Sequence, residues 1–157
     1  MGGGYLLSTA HNKRRMNMQN IRFDDGYKEF MINDDPNKVI RFDPTDFAIV
    51  ERFNTAMKNI EKYKDEFDNN EDTADGLESA AETVSKINTY IREQIDYIFD
   101  SPVAAIALGN KSPLAMVKGV PLFERFLNAV IPAIEKEIKA EMKASEKRVS
   151  KYTSQVK

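Results

Sequence analysis

Residues 23–46, FDDGYKEFMINDDPNKVIRFDPTD, decide the fold. Asp25-Gly26 is a hairpin signal, because glycine takes the positive φ of a tight turn without steric cost. Upstream, Asn20-Ile21-Arg22-Phe23 alternates polar and apolar residues, as a half-buried strand does. Downstream, 27–32 reads as the return strand, 33–37 as a second turn and 38–42 as a third strand. An antiparallel β-hairpin, extended to a three-strand unit, is expected at this end of the fold. Asp43-Pro44-Thr45-Asp46 then reads as a helix start. Asp43 would cap free amides, Pro44 suits the first helical position, and Asp46 favours the positive end of the helix.

The rest of the chain reads as helix. Phe47, Val50, Phe53, Met57, Ile60, Tyr63 and Phe67 recur at three- and four-residue steps and form one apolar stripe. The polar run 68–72 breaks it. A second helix is expected from about Thr73 to Phe99, with Leu77, Ala80, Val84, Ile87, Ile91, Ile95 and Ile98 on one face and Gly76 weakening its first turns. Asp100-Ser101-Pro102 stops it. Val103–Leu108 reads as a short apolar helix closed by Gly109, and Ser112-Pro113 opens another short turn ending near Gly119. A last helix is expected from Pro121 to about Tyr152, kinked or broken at Pro132. Beyond Lys139 its sequence is mostly charge, so that end should project. The fold class is mainly α with a small β part, α+β: a β-hairpin unit followed by a bundle of long helices with short connecting helices.

The chain has 157 residues, enough for one domain. With 31% charged and 41% apolar residues it suits a soluble helical protein with a modest core. It contains no cysteine, which excludes disulfides and thiolate metal sites. No apolar run reaches the length of about 20 residues that spans a membrane. Residues 1–17 carry three glycines, the only histidine and the cluster Lys13-Arg14-Arg15, with no periodicity. They read as a disordered arm or a mis-assigned extension. If Arg14-Arg15 is encoded AGG-AGG, a ribosome-binding sequence would precede Met18, which would then be the start. The single domain is accordingly placed at 18–157. Without residues 1–17, three basic residues and no acidic ones are lost, and the formal charge moves from −2 to −5. That balance argues against a nucleic-acid partner.

Catalytic chemistry has little to stand on. The lone His11 lies in the arm, and no cysteine exists to serve as nucleophile. Asp68, Asn70 and Asp72 alternate as calcium-loop ligands do, but Thr73 stands where the loop needs glycine and Ser79 where it needs a bidentate glutamate. Asn33, Asp35 and Asn37 fail likewise, with Lys38 in the glycine position. No phosphate-cradling glycine motif occurs. No catalytic, cofactor-binding or metal residue is expected, and no cofactor. What stands out is the apolar connection 101–119 and the start of the last helix, whose apolar residues cover nearly two faces. The candidate partner-binding residues are Val103, Ile106, Leu108, Leu114, Met116, Leu122, Phe123, Phe126 and Leu127. The simpler reading of the phenylalanines among them is core.

The runs FDDGYKEFMINDD at 23–35, VIRFDPTDF at 39–47, ERFNTAMKNI at 51–60 and SKYT at 150–153 resemble small proteins encoded in the tail-morphogenesis regions of tailed phages of Gram-positive hosts. They resemble tail assembly chaperones, or an uncharacterised family encoded beside them. The resemblance covers about 18–157. It implies a non-enzymatic protein that binds the phage tape measure protein or the tail tube protein during virion morphogenesis. Apart from the resemblance, the host cell cytoplasm is the default expectation, and a homo-oligomer is a further candidate partner. It assigns no individual contact residue. A structural virion protein, such as a minor tail or head–tail connector component, and a host-directed inhibitor or small enzyme are the alternatives.

Overall fold

The computed structural model describes residues 17–68 and 76–155. Strand β1 (Lys28–Ile32) pairs antiparallel with β2 (Asp35–Phe42). The turn between them is Asn33-Asp34, both at positive φ (50° and 59°), the primed geometry whose twist matches that of the flanking strands. The ladder slips between Met31, paired with Val39, and Ile32, paired with Asp35, so 36–38 loops out of β2. Pro36 lacks an N–H for the ladder, and Asn37 N–H donates to Asp35 Oδ1 at 2.9 Å instead. Ile40 and Phe42 are buried, and Phe30 stacks on Phe42 with ring centroids 4.8 Å apart.

The sheet here has two strands and not three. Residues 20–23 form no strand, and Ile21 and Phe23 are exposed. Four alternating residues are a weak signal, and local hydrogen bonds override it. The carboxylates of Asp24 and Asp25 accept from the amides of Gly26 (3.0 Å) and Tyr27 (3.2 Å), turning the chain before it can pair. Gly26, at φ 82°, lies so close to Asp43 that a Cβ there would sit 3.0 Å from Oδ2. The corner joins the entry of β1 to the end of β2.

Helix α1 (Phe47–Asp68) starts three residues after Pro44. Asp43 serves the preceding turn, accepting from Thr45 N–H (2.9 Å) and Thr45 Oγ1 (2.8 Å). Asp46 is the cap, accepting from Ala48 N–H at 3.0 Å. Its buried stripe is Ile49, Ala56 and Ile60, flanked by half-buried Phe53 and Met57; Phe47 and Val50 are exposed. Helix α2 (Gly76–Phe99) runs back alongside it. Arg52 Nε–H donates to the Ile98 carbonyl (2.8 Å), Asn59 bonds Gln94 (3.1 Å) and Tyr63 stacks on Tyr90 (4.0 Å). Desolvation in this stack, more than the Tyr63 neighbour, raises the Tyr90 phenol above its ordinary pKa. Ile91, Ile95, Ile98 and Phe99 are buried, whereas Leu77 is 88% exposed. The expected start at Thr73 lies outside the described residues.

Helix α3 (Val103–Leu108) and the two-residue strands β3 (Met116–Val117) and β4 (Val120–Pro121) follow. The β3–β4 turn, Lys118-Gly119, is again at positive φ. Helix α4 (Leu122–Gln155) runs on through Pro132, so it is not broken there. Pro132 and Asn128 are both exposed, and the carbonyl left without its helical donor can be hydrated at little cost. Phe123, Leu127, Val130 and Ile134 enter the single core cluster. Lys28 is bonded to Glu137, clipping β1 to the middle of α4. That bond raises the Lys28 pKa, so on the alkaline side the clip is lost as pH climbs through the raised value. Every described side chain from Lys139 to Ser154 is exposed.

Three variants check this account. Ile95→Ala should lower the unfolding free energy by about 2–5 kcal/mol, and Leu77→Ala by less than about 0.5 kcal/mol, in chemical denaturation. Asp34→Val, which forces a β-branched residue to positive φ, should cost about 1–2 kcal/mol.

Candidate protein-binding groove

Helix α2 does two jobs at once. Its apolar face packs the core, and its polar edge holds the apolar connection that follows it. Asn88, Arg92 and Asp96 stand four residues apart on that edge. Asp96 Oδ1 accepts from Ala104 N–H at 2.8 Å and so caps α3 from outside, where Pro102 offers no side-chain cap. Arg92 donates to the carbonyls of Gly109 and Lys111, both at 2.6 Å. Ser112 Oγ donates to Asn88 Oδ1 (2.8 Å) and accepts from Leu114 N–H (3.1 Å). The connection is thereby fixed, with Val103, Ala104, Leu108 and Pro113 buried.

Fixing α3 leaves a groove on its other side, between the hairpin and the first half of α4. Its volume is about 400 Å³. Phe30, Met31, Ile32, Ile40 and Phe42 form the hairpin wall, Ala107 and Leu108 the α3 wall, and Leu122, Phe126, Ala129, Val130 and Ala133 the α4 wall. Arg125 is the only charged lining residue, and it reaches the Val117 carbonyl at 3.3 Å. Phe42 meets Phe99 edge to face (5.0 Å), and Phe99 lies 6.0 Å from Phe126, so the floor of the groove is continuous with the core. Small residues at 129 and 133, one helical turn apart, leave the depression open.

The nine candidate contact residues divide by burial. Val103, Phe123 and Leu127 are core and present no surface, a correction to the sequence reading. Leu108, also buried, lines the groove floor, and half-buried Leu122 and Phe126 line its wall. Ile106 and Leu114 are half-buried outside the groove lining, and Met116 is exposed on β3. The sequence reading gives no sign of the hairpin's contribution, because 27–32 and 38–42 read only as strands. The alanines were missed too, because a small residue on an amphipathic helix carries no sign of what it leaves uncovered.

Among the described residues no group of three or more acidic, histidine or cysteine side chains could hold a metal, and no buried side-chain polar atom lacks a partner. Among the described residues no helix is long and apolar enough to cross a membrane. Comparison of the chain with protein-family models, curated proteins and solved structures gives no match.

Filling the groove tests its accessibility. Ala129→Trp should leave the far-ultraviolet circular dichroism unchanged and reduce binding of an apolar fluorescent dye several-fold; an equal reduction by Lys143→Ala would point away from the groove.

Proposed function

We propose that the chain is a phage tail assembly chaperone-like protein that holds an apolar segment of the tape measure protein or the tail tube protein during tail morphogenesis, in the host cell cytoplasm and without catalysis. The observation that carries this reading is the open apolar groove between hairpin and α4, rimmed by a single arginine. A groove of this shape suits one face of an amphipathic helix, with its apolar anchors at three- and four-residue steps. An acidic residue flanking those anchors would meet Arg125. The resemblance of 23–35, 39–47 and 51–60 to tail-morphogenesis proteins supplies the biological class, and the groove supports a mode of binding. The fixed connection supports it too: a rigid wall lowers the ordering cost of capturing a helix.

Co-expression with a helical tape measure fragment is the test. The fragment should remain in the supernatant with the wild-type chain and precipitate with Ala129→Trp, while Arg125→Glu should weaken co-purification about tenfold. A fragment equally insoluble with and without the chain would contradict the proposal.

A further inference from the structure

The projecting half of α4 carries a pattern that the groove does not use. From Lys139 to Gln155 the helix rises about 25 Å beyond its packed half. Ile138, Met142, Ser145, Val149 and Tyr152 follow one another at steps of four, three, four and three residues. That spacing is the seam of a two-helix coiled coil. Ile138 is partly buried against the body, but Met142, Val149 and Tyr152 are 59%, 54% and 73% exposed. A helix alone in water gains nothing from such a seam.

The charges beside the seam select what covers it. Lys139 and Glu146 flank it on one side, Glu141 and Arg148 on the other, and all four are exposed. When two copies of a helix pair antiparallel, each flank meets the same flank of its partner. With Ile138 packed on Val149 of the second copy, and Met142 on Ser145, Glu141 faces Arg148 and Lys139 faces Glu146. The two-fold axis repeats each pair, giving four opposite-charge contacts. When the copies pair parallel, opposite flanks meet, and Glu141 faces Glu146 twice. Like charges so placed disfavour that arrangement.

We infer that the exposed half of α4 is a self-association surface, and that two copies of this chain pair there antiparallel through Ile138, Met142 and Val149. The surface is distinct from the groove, so a dimer would leave both grooves open. Ser145 at the middle of the seam keeps the contact weak and reversible.

Sedimentation equilibrium of the full chain from micromolar to several hundred micromolar tests this. The wild-type chain should show a concentration-dependent dimer. Glu141→Arg should weaken it about tenfold by setting like charges opposite each other twice, and Arg148→Glu should do the same. The double variant Glu141→Arg/Arg148→Glu should restore wild-type association. Lys139→Glu, Glu146→Lys and their combination should repeat the cycle on the other flank. Circular dichroism confirms that each variant keeps its helix. A monomer at every concentration would overturn the proposal. So would tighter association of Glu141→Arg, the sign of parallel pairing, or single and double variants that behave alike.

Discussion

The structure turns on the last three turns of α2. Ile91, Ile95 and Ile98 are buried in the core on the face that α2 turns to α1, and Asn88, Arg92 and Asp96 hold the 101–114 connection by the edge. The connection could not stand alone. Helix α3 has six residues, far below the length at which a helix is stable in water, and Pro102 gives it no cap. An aspartate one helix away supplies the missing acceptor, and a guanidinium gathers two carbonyls that end the segment. Losing Arg92 would strand the Gly109 carbonyl in a part-buried site and leave that of Lys111 to solvent.

The apolar surface is divided by this arrangement. One side of α3 belongs to the core, through Val103, Ala104 and Leu108. The other borders the groove, which the hairpin closes opposite. Phe42 links the two: it stacks on Phe30 at the groove and meets Phe99 in the core. A partner entering the groove would therefore press on a wall backed by packed rings and by the Lys28–Glu137 clip, with little room to yield. The projecting end of α4 has no such backing and owes its helical state to its own propensity and to whatever joins it.

The fold class was legible in the sequence because long periodic stripes and proline boundaries are local signals. Gly109, Asp100-Ser101-Pro102 and the 103–108 helix all fell where the pattern put them. The errors have physical causes. The turn expected at 33–37 is the hairpin turn, at Asn33-Asp34, whereas Asp25-Gly26 joins no two paired strands, because the aspartates there spend their carboxylates on their own backbone. Phe47 and Leu77 matched their stripes yet face water, since a stripe says which face is apolar and not how far the neighbouring helix extends. The groove was half legible. Leu122 and Phe126 stood out as excess apolar surface, but the open space depends on Ala129 and Ala133 and on a hairpin far away in the chain. The polar edge of α2 left a four-residue spacing of Asn, Arg and Asp that gains meaning only once its backbone partners are known.

Hydrogen exchange of the free protein, read residue by residue, tests the central claim that the connection is locked and the far half of α4 is not. The amides of Ala104, Gly109 and Leu114 should exchange on the timescale of the α2 core, and Arg92→Ala should speed all three while Ile95 stays protected. Amides from Met142 to Ser154 should exchange much faster at low protein concentration. If 101–114 exchanges as fast as that free helix, the connection is a mobile loop, the groove has no fixed wall, and this account of the molecule is wrong.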